Sequence, residues 1–184
     1  MVPTSITDPE PKSLMTPDER LYLYSWIRAK KPERVLEVGV WKGGSSRVIG
    51  LAMTANGCGK LVSVDPKPGT DLREVPQATL ITGYSPECLS VAANAAGGQF
   101  NAVLVDGNHG CKAVVADIRG VVPFLADSAE ILLHDAFNAE VALGIEIALR
   151  DEPGLSDMGM VVAKPNTAHV GELWGGFRLL RFQR

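Results

Sequence analysis

The sequence has few of the features that mark membrane, secreted or zinc-binding proteins. Its 184 residues contain no apolar run close to the roughly 20 residues that span a bilayer. Residues 1–9 form neither a basic n-region nor an apolar h-region, so they do not resemble a signal peptide. The three cysteines include no Cys-x-x-Cys pair and fit reduced thiols better than a disulfide framework or a zinc site. We therefore expect a cytoplasmic protein.

A surplus of positive charge is also missing. The formal net charge is −3, which gives no electrostatic reason to expect a nucleic acid or an anionic membrane as partner. The 46% hydrophobic and 21% charged residues are ordinary for a globular protein of this length. We expect one domain over residues 16–184, preceded by a proline-containing tail at 1–15. A monomer and a homo-oligomer both fit the sequence.

Apolar runs alternate with segments of helical period along the domain. Thr16-Pro17-Asp18-Glu19 has capping-box spacing and predicts a helix to about Lys30. The predicted strands are 34–40, 61–65, 78–82, 101–106, 129–134 and 158–163, and the predicted helices are 44–56, 86–96, 110–125 and 138–150. The segment 173–182 is expected to return antiparallel beside 158–163. The pattern predicts a Rossmann-like, doubly wound α/β fold with a mostly parallel seven-stranded sheet and an antiparallel last strand.

The first predicted strand runs into a glycine-containing turn. A dinucleotide fingerprint would need glycine at position 41, where a pyrophosphate approaches the backbone, and the residue there is Trp41. The spacing Glu37-x-Gly39-x-x-x-Gly43-x-Ser45 instead resembles the first motif of class I S-adenosylmethionine-dependent methyltransferases. Helix amides after such a turn suit a negatively charged ligand group.

The next two strand ends carry polar residues that fit the same resemblance. Asp65 ends the second strand, where a carboxylate can accept hydrogen bonds from the two ribose hydroxyls of a nucleoside. Ser85 follows the third strand, at the place where the resembling family has a small polar residue beside adenine; a helix N-cap is the alternative for it. The predicted cofactor-binding residues are Glu37, Gly39, Gly43, Ser45, Asp65, Ser85 and Asp106.

Two later strands end on an acid and a histidine. Asp106-Gly-Asn-His109 and His134-Asp135 resemble motifs of the small-molecule O-methyltransferases grouped with the macrocin and mycinamicin sugar methyltransferases. The resemblance covers roughly residues 34–136 and implies methyl transfer from S-adenosylmethionine to a hydroxyl of a small-molecule acceptor, such as a sugar or a phenol. Asp106 and Asp135 are then expected to hold a divalent cation such as Mg²⁺, with His109 as the catalytic general base.

His134 departs from this pattern, because the metal-dependent relatives usually carry an acid there. A ligand to a softer ion, a substrate contact and a hydrogen bond to a backbone carbonyl all remain open for it. Asn138 is either a third oxygen ligand or an N-cap, and His169 is expected to be solvated. Tyr22, Tyr24 and Trp26 belong either to the acceptor pocket or to core or subunit contacts.

Three other functions are compatible with parts of this sequence pattern. A nicotinamide oxidoreductase shares the expected fold, although Trp41 disfavours it, and a non-catalytic nucleoside-binding module would need the cofactor site alone. An α/β-hydrolase is disfavoured because Gly83-Tyr-Ser85-Pro-Glu87 lacks the second glycine of a nucleophile elbow.

Overall fold

The computed structural model describes Ile6 and residues 14–169 and 171–184, with the backbone alone at 166–169. Five α-helices and nine strands alternate along these residues. The helices are α1 (Pro17–Lys30), α2 (Gly44–Asn56), α3 (Leu89–Ala96), α4 (Cys111–Val121) and α5 (Ala139–Asp151). The strands are β1 (Arg34–Val38), β2 (Lys60–Asp65), β3 (Ala78–Thr82), β4 (Phe100–Val105), β5 (Leu125–Leu133), β6 (Leu155–Val162), β7 (Asn166–His169), β8 (Glu172–Trp174) and β9 (Phe177–Gln183).

Seven strands form one sheet in the order β3-β2-β1-β4-β5-β9-β6. Neighbours from β3 to β5 pair in parallel, and β9 is antiparallel to both β5 and β6. The strand order reverses between β1 and β4, which creates a topological switch point at the carboxyl ends of these two strands. The predicted Rossmann-like fold is confirmed.

The sheet is buried on both faces because alternate side chains of its central strands enter two separate cores. On β4, Ala102 and Leu104 join the core beneath α1 and α2, whereas Val103 and Val105 join the core beneath α3, α4 and α5. Two helical layers therefore hold the strand ends of the switch point in fixed positions.

The predicted capping box at α1 is present. The Thr16 hydroxyl accepts a hydrogen bond from the Glu19 amide at 3.3 Å, and the Thr16 amide donates to Glu19 Oε2 at 2.6 Å. Of the predicted tail at 1–15, the described residues are Ile6, Leu14 and Met15. Ile6 is fully buried, and its carbonyl accepts from Arg20 Nε at 2.7 Å.

Several predicted boundaries were wrong by a few residues. The helix predicted over 110–125 ends at Val121, because Pro123 has no N–H to continue it and forms a short 3₁₀ turn over Val122–Phe124. The next strand begins at Leu125 instead of 129, where the polar pair Asp127 and Ser128 hides it from the apolar pattern. Strand β9 lies beside β6 as predicted, and it also pairs with β5. The β7–β8 hairpin was not predicted.

Among the described residues, no helix has the length and apolar character that crossing a bilayer requires.

Candidate active site

A cleft of about 440 Å³ opens at the carboxyl ends of β1, β2, β4 and β5. This volume lies within the usual range of small-molecule sites. Its walls are Leu14, Met15, Gly39, Val40, Trp41, Gly44, Ser45, Asp65, Pro66, Lys67, Asp106, Gly107, Asn108, His109, His134 and Asp135. The cleft therefore coincides with the switch point and with the strand ends that the sequence singled out.

The turn after β1 requires glycine at two positions. Gly39 has φ +91°, and a Cβ there would lie 2.1 Å from the Asp106 carbonyl oxygen, so only glycine lets the ends of β1 and β4 approach. Gly43 has φ +78° at the N-cap of α2 and packs against Leu72 and Thr70. Gly39 and Ser45 line the cleft, while Gly43 shapes the turn from behind.

Glu37, predicted as a cofactor-binding residue, lies beneath the cleft wall instead of lining it. It is fully buried, and its carboxylate accepts hydrogen bonds from the hydroxyls of Ser45 at 2.5 Å, Ser46 at 2.6 Å and Ser63 at 2.6 Å. Burial raises the pKa of Glu37, and the three hydroxyls oppose that change. In this structure Glu37 supports the turn through Ser45 and has no surface for direct contact with a ligand.

Asp65 lines the cleft and also organises the turn after β1. Its Oδ2 accepts from the amides of Val40 at 2.8 Å and Trp41 at 3.0 Å, and its Oδ1 accepts from the Lys67 amide at 2.7 Å. A carboxylate offers about four acceptor positions. With three of them occupied, Asp65 has room for one ligand hydroxyl, whereas the sequence predicted two.

Ser85 lies outside the cleft wall. Its neighbour is the carboxyl group of Asp117 on α4, whose pKa is raised to about 6 mainly by burial, with Ser85 opposing the change. Ser85 therefore does not line the cleft, although the sequence predicted that it would lie beside an adenine bound there.

Asp106, His134 and Asp135 meet at the ends of β4 and β5. His134 Nδ1 forms a 3.0 Å hydrogen bond with Asp106 Oδ1 and lies 3.1 Å from Asp135 Oδ2. His134 and Asp135 are buried, and Asp106 is partly exposed. Burial lowers the pKa of His134, but Asp106 and the other carboxylates outweigh burial and raise it well above the usual value. Of the alternatives left open for His134, the hydrogen bond to a backbone carbonyl is not the one seen, because both ring nitrogens face carboxylates.

Asp135 sits in a left-handed backbone conformation, at φ 53°, and binds on two sides. Its Oδ1 accepts from the Gly175 amide at 2.6 Å, and its Oδ2 lies 2.9 Å from His109 Nε2. Burial raises the pKa of Asp135, and both histidines and the amide outweigh it, so the pKa is lowered.

His109 stands at the rim of the same cluster. Its side chain is 37% exposed and meets the Trp174 ring edge-on at 5.1 Å between centroids. The interaction with Asp135 raises the pKa of His109 against the effect of burial. A half-exposed imidazole held by a carboxylate is a suitable proton acceptor for a group in the cleft.

Glu19 is a member of the cluster that sequence reasoning missed. It is 1% exposed, its Oε1 accepts from the Gly176 amide at 2.6 Å, and the same oxygen lies 3.4 Å from His134 Nε2. Burial raises the pKa of Glu19, but His134 and two backbone amides outweigh it and lower the pKa. Its place in the capping box was the available signal, and that signal indicated only a helix start.

The remaining candidates have structural roles where the structure describes them. Asn138 caps α5 by accepting from the amides of Glu140 at 3.0 Å and Val141 at 3.4 Å, which selects the N-cap over the ligand. Tyr24 and Trp26 are buried in the core and do not line the cleft. The predicted solvation of His169 concerns a side chain outside the described part of the structure.

The three residues at the ends of β4 and β5 have the composition of a metal site. One ligand atom each from Asp106, His134 and Asp135 lies within 4.8 Å of the others. Two carboxylates and an imidazole suit a divalent cation, and the cleft beside them leaves further coordination positions for water or substrate.

Comparison with known proteins gives the family. Residues 36–136 match a family model described as a methyltransferase domain. No curated protein matches the chain in sequence. The match covers nearly the same interval as the resemblance stated from the motifs.

Solved structures of similar fold include methyltransferases. Cofactor-bound Rv0187 from MTB has a TM-score of 0.71 and 20% identity, over 95% of this chain and 84% of that chain. The O-methyltransferase TomG from Streptomyces achromogenes, in complex with SAM, has a TM-score of 0.71 and 16% identity over 94% and 82%. The MycE methyltransferase of the mycinamycin pathway, bound to Mg, SAH and mycinamycin VI, has a TM-score of 0.64 and 19% identity over 95% and 51%. Because the family model covers more than half of the residues and the fold agrees, the chain belongs to the methyltransferase domain family.

Proposed function

We propose that the protein transfers a methyl group from S-adenosylmethionine to a hydroxyl of a small molecule, with assistance from a divalent cation. The observation that carries this proposal is the convergence of Asp65, Asp106, His109 and Asp135 on one cleft at the switch point of a methyltransferase domain. The fold neighbours TomG and MycE support the choice of an oxygen acceptor, since TomG is an O-methyltransferase and MycE is bound to Mg and a natural product.

The cofactor would lie along the turn between β1 and α2. Gly39 and Gly44 leave the backbone open to a ligand there, and the remaining acceptor position of Asp65 suits one ribose hydroxyl. Trp41 stands where a pyrophosphate would need glycine, which favours a cofactor without that group. Glu37 and its three serines keep this turn in place from below.

The acceptor would bind between the cofactor and the histidine cluster. Asp106, Asp135 and His134 are the residues that would hold the cation, and a bound cation lowers the pKa of a coordinated hydroxyl. His109 accepts the hydroxyl proton: with Nε2 directed to Asp135, Nδ1 keeps the free lone pair. Asp135 also fixes the orientation of the ring.

Calorimetry with S-adenosylhomocysteine and with NAD tests the cofactor assignment. We expect S-adenosylhomocysteine to bind and NAD not to bind. Asp65→Ala should weaken S-adenosylhomocysteine by at least about 1.5–3 kcal/mol, the value of one charged hydrogen bond, because the turn also loses the acceptor of three backbone amides. Asp127→Ala is the matched control, because Asp127 is an exposed acid near the opposite end of β5, paired with Arg184. Tight NAD binding without S-adenosylhomocysteine binding would contradict the proposal.

Chelation tests the cation. After treatment with EDTA, methylation of a hydroxyl acceptor found by screening sugars and phenols should fall and should recover when a divalent cation is added. An unchanged rate in metal-free protein would restrict the proposal to a cation-independent transfer.

A further inference from the structure

His134 occupies a position at which an all-oxygen magnesium site would carry an acid. We infer that His134 Nδ1 is a metal ligand together with Asp106 and Asp135, and that the site therefore takes a transition ion such as Mn²⁺ in preference to Mg²⁺. Glu19 is the positioning residue for the imidazole. This inference rests on the proposed function, because it specifies the cation of the same cleft.

The distances around Nδ1 fit shared coordination. Nδ1 is 3.0 Å from Asp106 Oδ1 and 3.1 Å from Asp135 Oδ2. Ligands at right angles around an ion, with bonds of about 2.1 Å, are separated by about 3.0 Å. Both distances from Nδ1 therefore match those between adjacent ligands of one ion, and the ligand atoms of the two aspartates lie within 4.8 Å of each other.

The other ring nitrogen has the environment expected of a coordinating histidine. Metal-bound imidazoles usually direct the second ring N–H to a carboxylate, which fixes the tautomer. His134 Nε2 is buried and makes no regular hydrogen bond with a described residue, and Glu19 Oε1 lies 3.4 Å from it. A proton on Nε2, directed to Glu19, leaves the Nδ1 lone pair for the ion.

Glu19 is held in place independently of the histidine. Its Oε1 accepts from the Gly176 amide at 2.6 Å, and its Oε2 accepts from the Thr16 amide at 2.6 Å. A carboxylate buried to 1% exposure and fixed at both oxygens has little freedom to turn away. The imidazole thus meets a rigid partner on one side and the two aspartates on the other.

The donor set determines the preferred ion. Mg²⁺ favours oxygen ligands and dehydrates reluctantly, whereas imidazole suits later divalent metals, and affinity rises from Mn²⁺ along the first transition row. The competing state is a proton on Nδ1 that is shared with Asp106 and prevents coordination. The experiment below separates these two states.

Pulsed electron paramagnetic resonance of Mn²⁺ bound to chelator-stripped protein detects a coordinated nitrogen directly. We expect nitrogen coupling in the wild type and in His109→Asn. We expect its loss in His134→Asp, which creates an all-oxygen site. Calorimetric titrations should show that His134→Asp lowers the ratio of Mn²⁺ to Mg²⁺ affinity on the order of tenfold. The sequence has three histidines, His109, His134 and His169. Coupling that persists in His109→Asn and disappears in His134→Asp therefore assigns the coupled nitrogen to His134.

Glu19→Gln tests the positioning role. We expect it to weaken Mn²⁺ binding by about 10–100-fold in the wild type and to change little in the His134→Asp background, where no imidazole remains to be oriented. Equal weakening in both backgrounds would assign Glu19 a general structural role. Urea denaturation of each variant checks that it is folded.

Three results would overturn the inference: Mn²⁺ bound without nitrogen coupling, coupling that disappears in His109→Asn, or no Mn²⁺ binding at all. The wild-type and His109→Asn spectra decide the question even if His134→Asp does not fold. Calorimetry with S-adenosylhomocysteine on the same preparations keeps the two proposals distinguishable. If S-adenosylhomocysteine binds but nitrogen coupling is absent, His134 is not a metal ligand and the proposed function stands. If the wild type does not bind S-adenosylhomocysteine, the proposed methyl transfer is rejected.

Discussion

Gly39→Ala is expected to open the cleft wall at the switch point. Alanine at φ +91° has a left-handed conformation that costs about 1–2 kcal/mol. Its Cβ would lie 2.1 Å from the Asp106 carbonyl oxygen, and a contact below 3.0 Å cannot persist, so the ends of β1 and β4 must separate by about 1 Å. One backbone hydrogen bond joins β4 to β1 at this point, from the Asp106 amide to the Val38 carbonyl oxygen at 2.8 Å.

The separation of β1 from β4 should weaken this bond, at a cost of about 1 kcal/mol. The total loss in the free energy of unfolding is then about 2–3 kcal/mol. Gly97→Ala is the matched control: Gly97 has φ +80° at the end of α3, and nothing lies within 4 Å of a Cβ built there. That variant should lose about 1–2 kcal/mol from the conformation alone.

Urea denaturation measures the stability difference, and calorimetry with S-adenosylhomocysteine measures the cleft. We expect Gly97→Ala to retain the affinity of the wild type and Gly39→Ala to lose most of it, because the shift displaces the Asp106 backbone. Equal stability and equal affinity of the two variants would refute the close approach of β1 and β4 as the reason for glycine at position 39.

Three further predictions concern single side chains. The pKa of Asp117, raised to about 6, means that its protonated form stabilises the fold below pH 3.8 and that this contribution is lost as pH rises through 6. Between pH 4 and pH 7, the free energy of unfolding of Asp117→Asn should therefore rise by up to about 3 kcal/mol relative to that of the wild type, as measured by urea denaturation. Parallel pH curves of the two proteins would contradict the burial effect. His109→Ala should lower kcat by about 10²–10⁴-fold with S-adenosylhomocysteine affinity unchanged, and a normal kcat would reject His109 as the base. Asn138→Ala should cost about 1 kcal/mol of stability as a lost N-cap, and a change in Mn²⁺ affinity would instead indicate a ligand.

The sequence predicted the fold and the strand ends well because both depend on local pattern. Apolar runs of β-branched residues mark buried strands, and the first polar residue after each run marks its carboxyl end. Asp65, Asp106 and the pair His134-Asp135 were found in this way, and the structure places all four residues on one cleft. The parallel arrangement then follows, since helices separate the strands.

The direction of a side chain at a strand end could not be predicted in the same way. Glu37 and Asp65 occupy similar positions in the pattern, yet Glu37 points into a cluster of three serine hydroxyls while Asp65 faces the cleft. The decisive partner Ser63 lies on the neighbouring strand, and the register of β1 with β2 sets Glu37 opposite it. Spacing within one strand contains no information on that register.

The contribution of the carboxyl-terminal segment follows from register as well. Strand β9 pairs antiparallel with β5 so that Arg178 lies opposite Leu133, which places Gly175 and Gly176 directly beside the end of β5. From there the Gly175 amide binds Asp135, and the Gly176 amide binds Glu19, 157 residues away along the chain. Two adjacent amides thus fix the carboxylates on opposite sides of His134. The insertion of β9 between β5 and β6 is therefore a condition for the site, because a last strand placed only at the outer edge of β6 would leave both carboxylates without these donors.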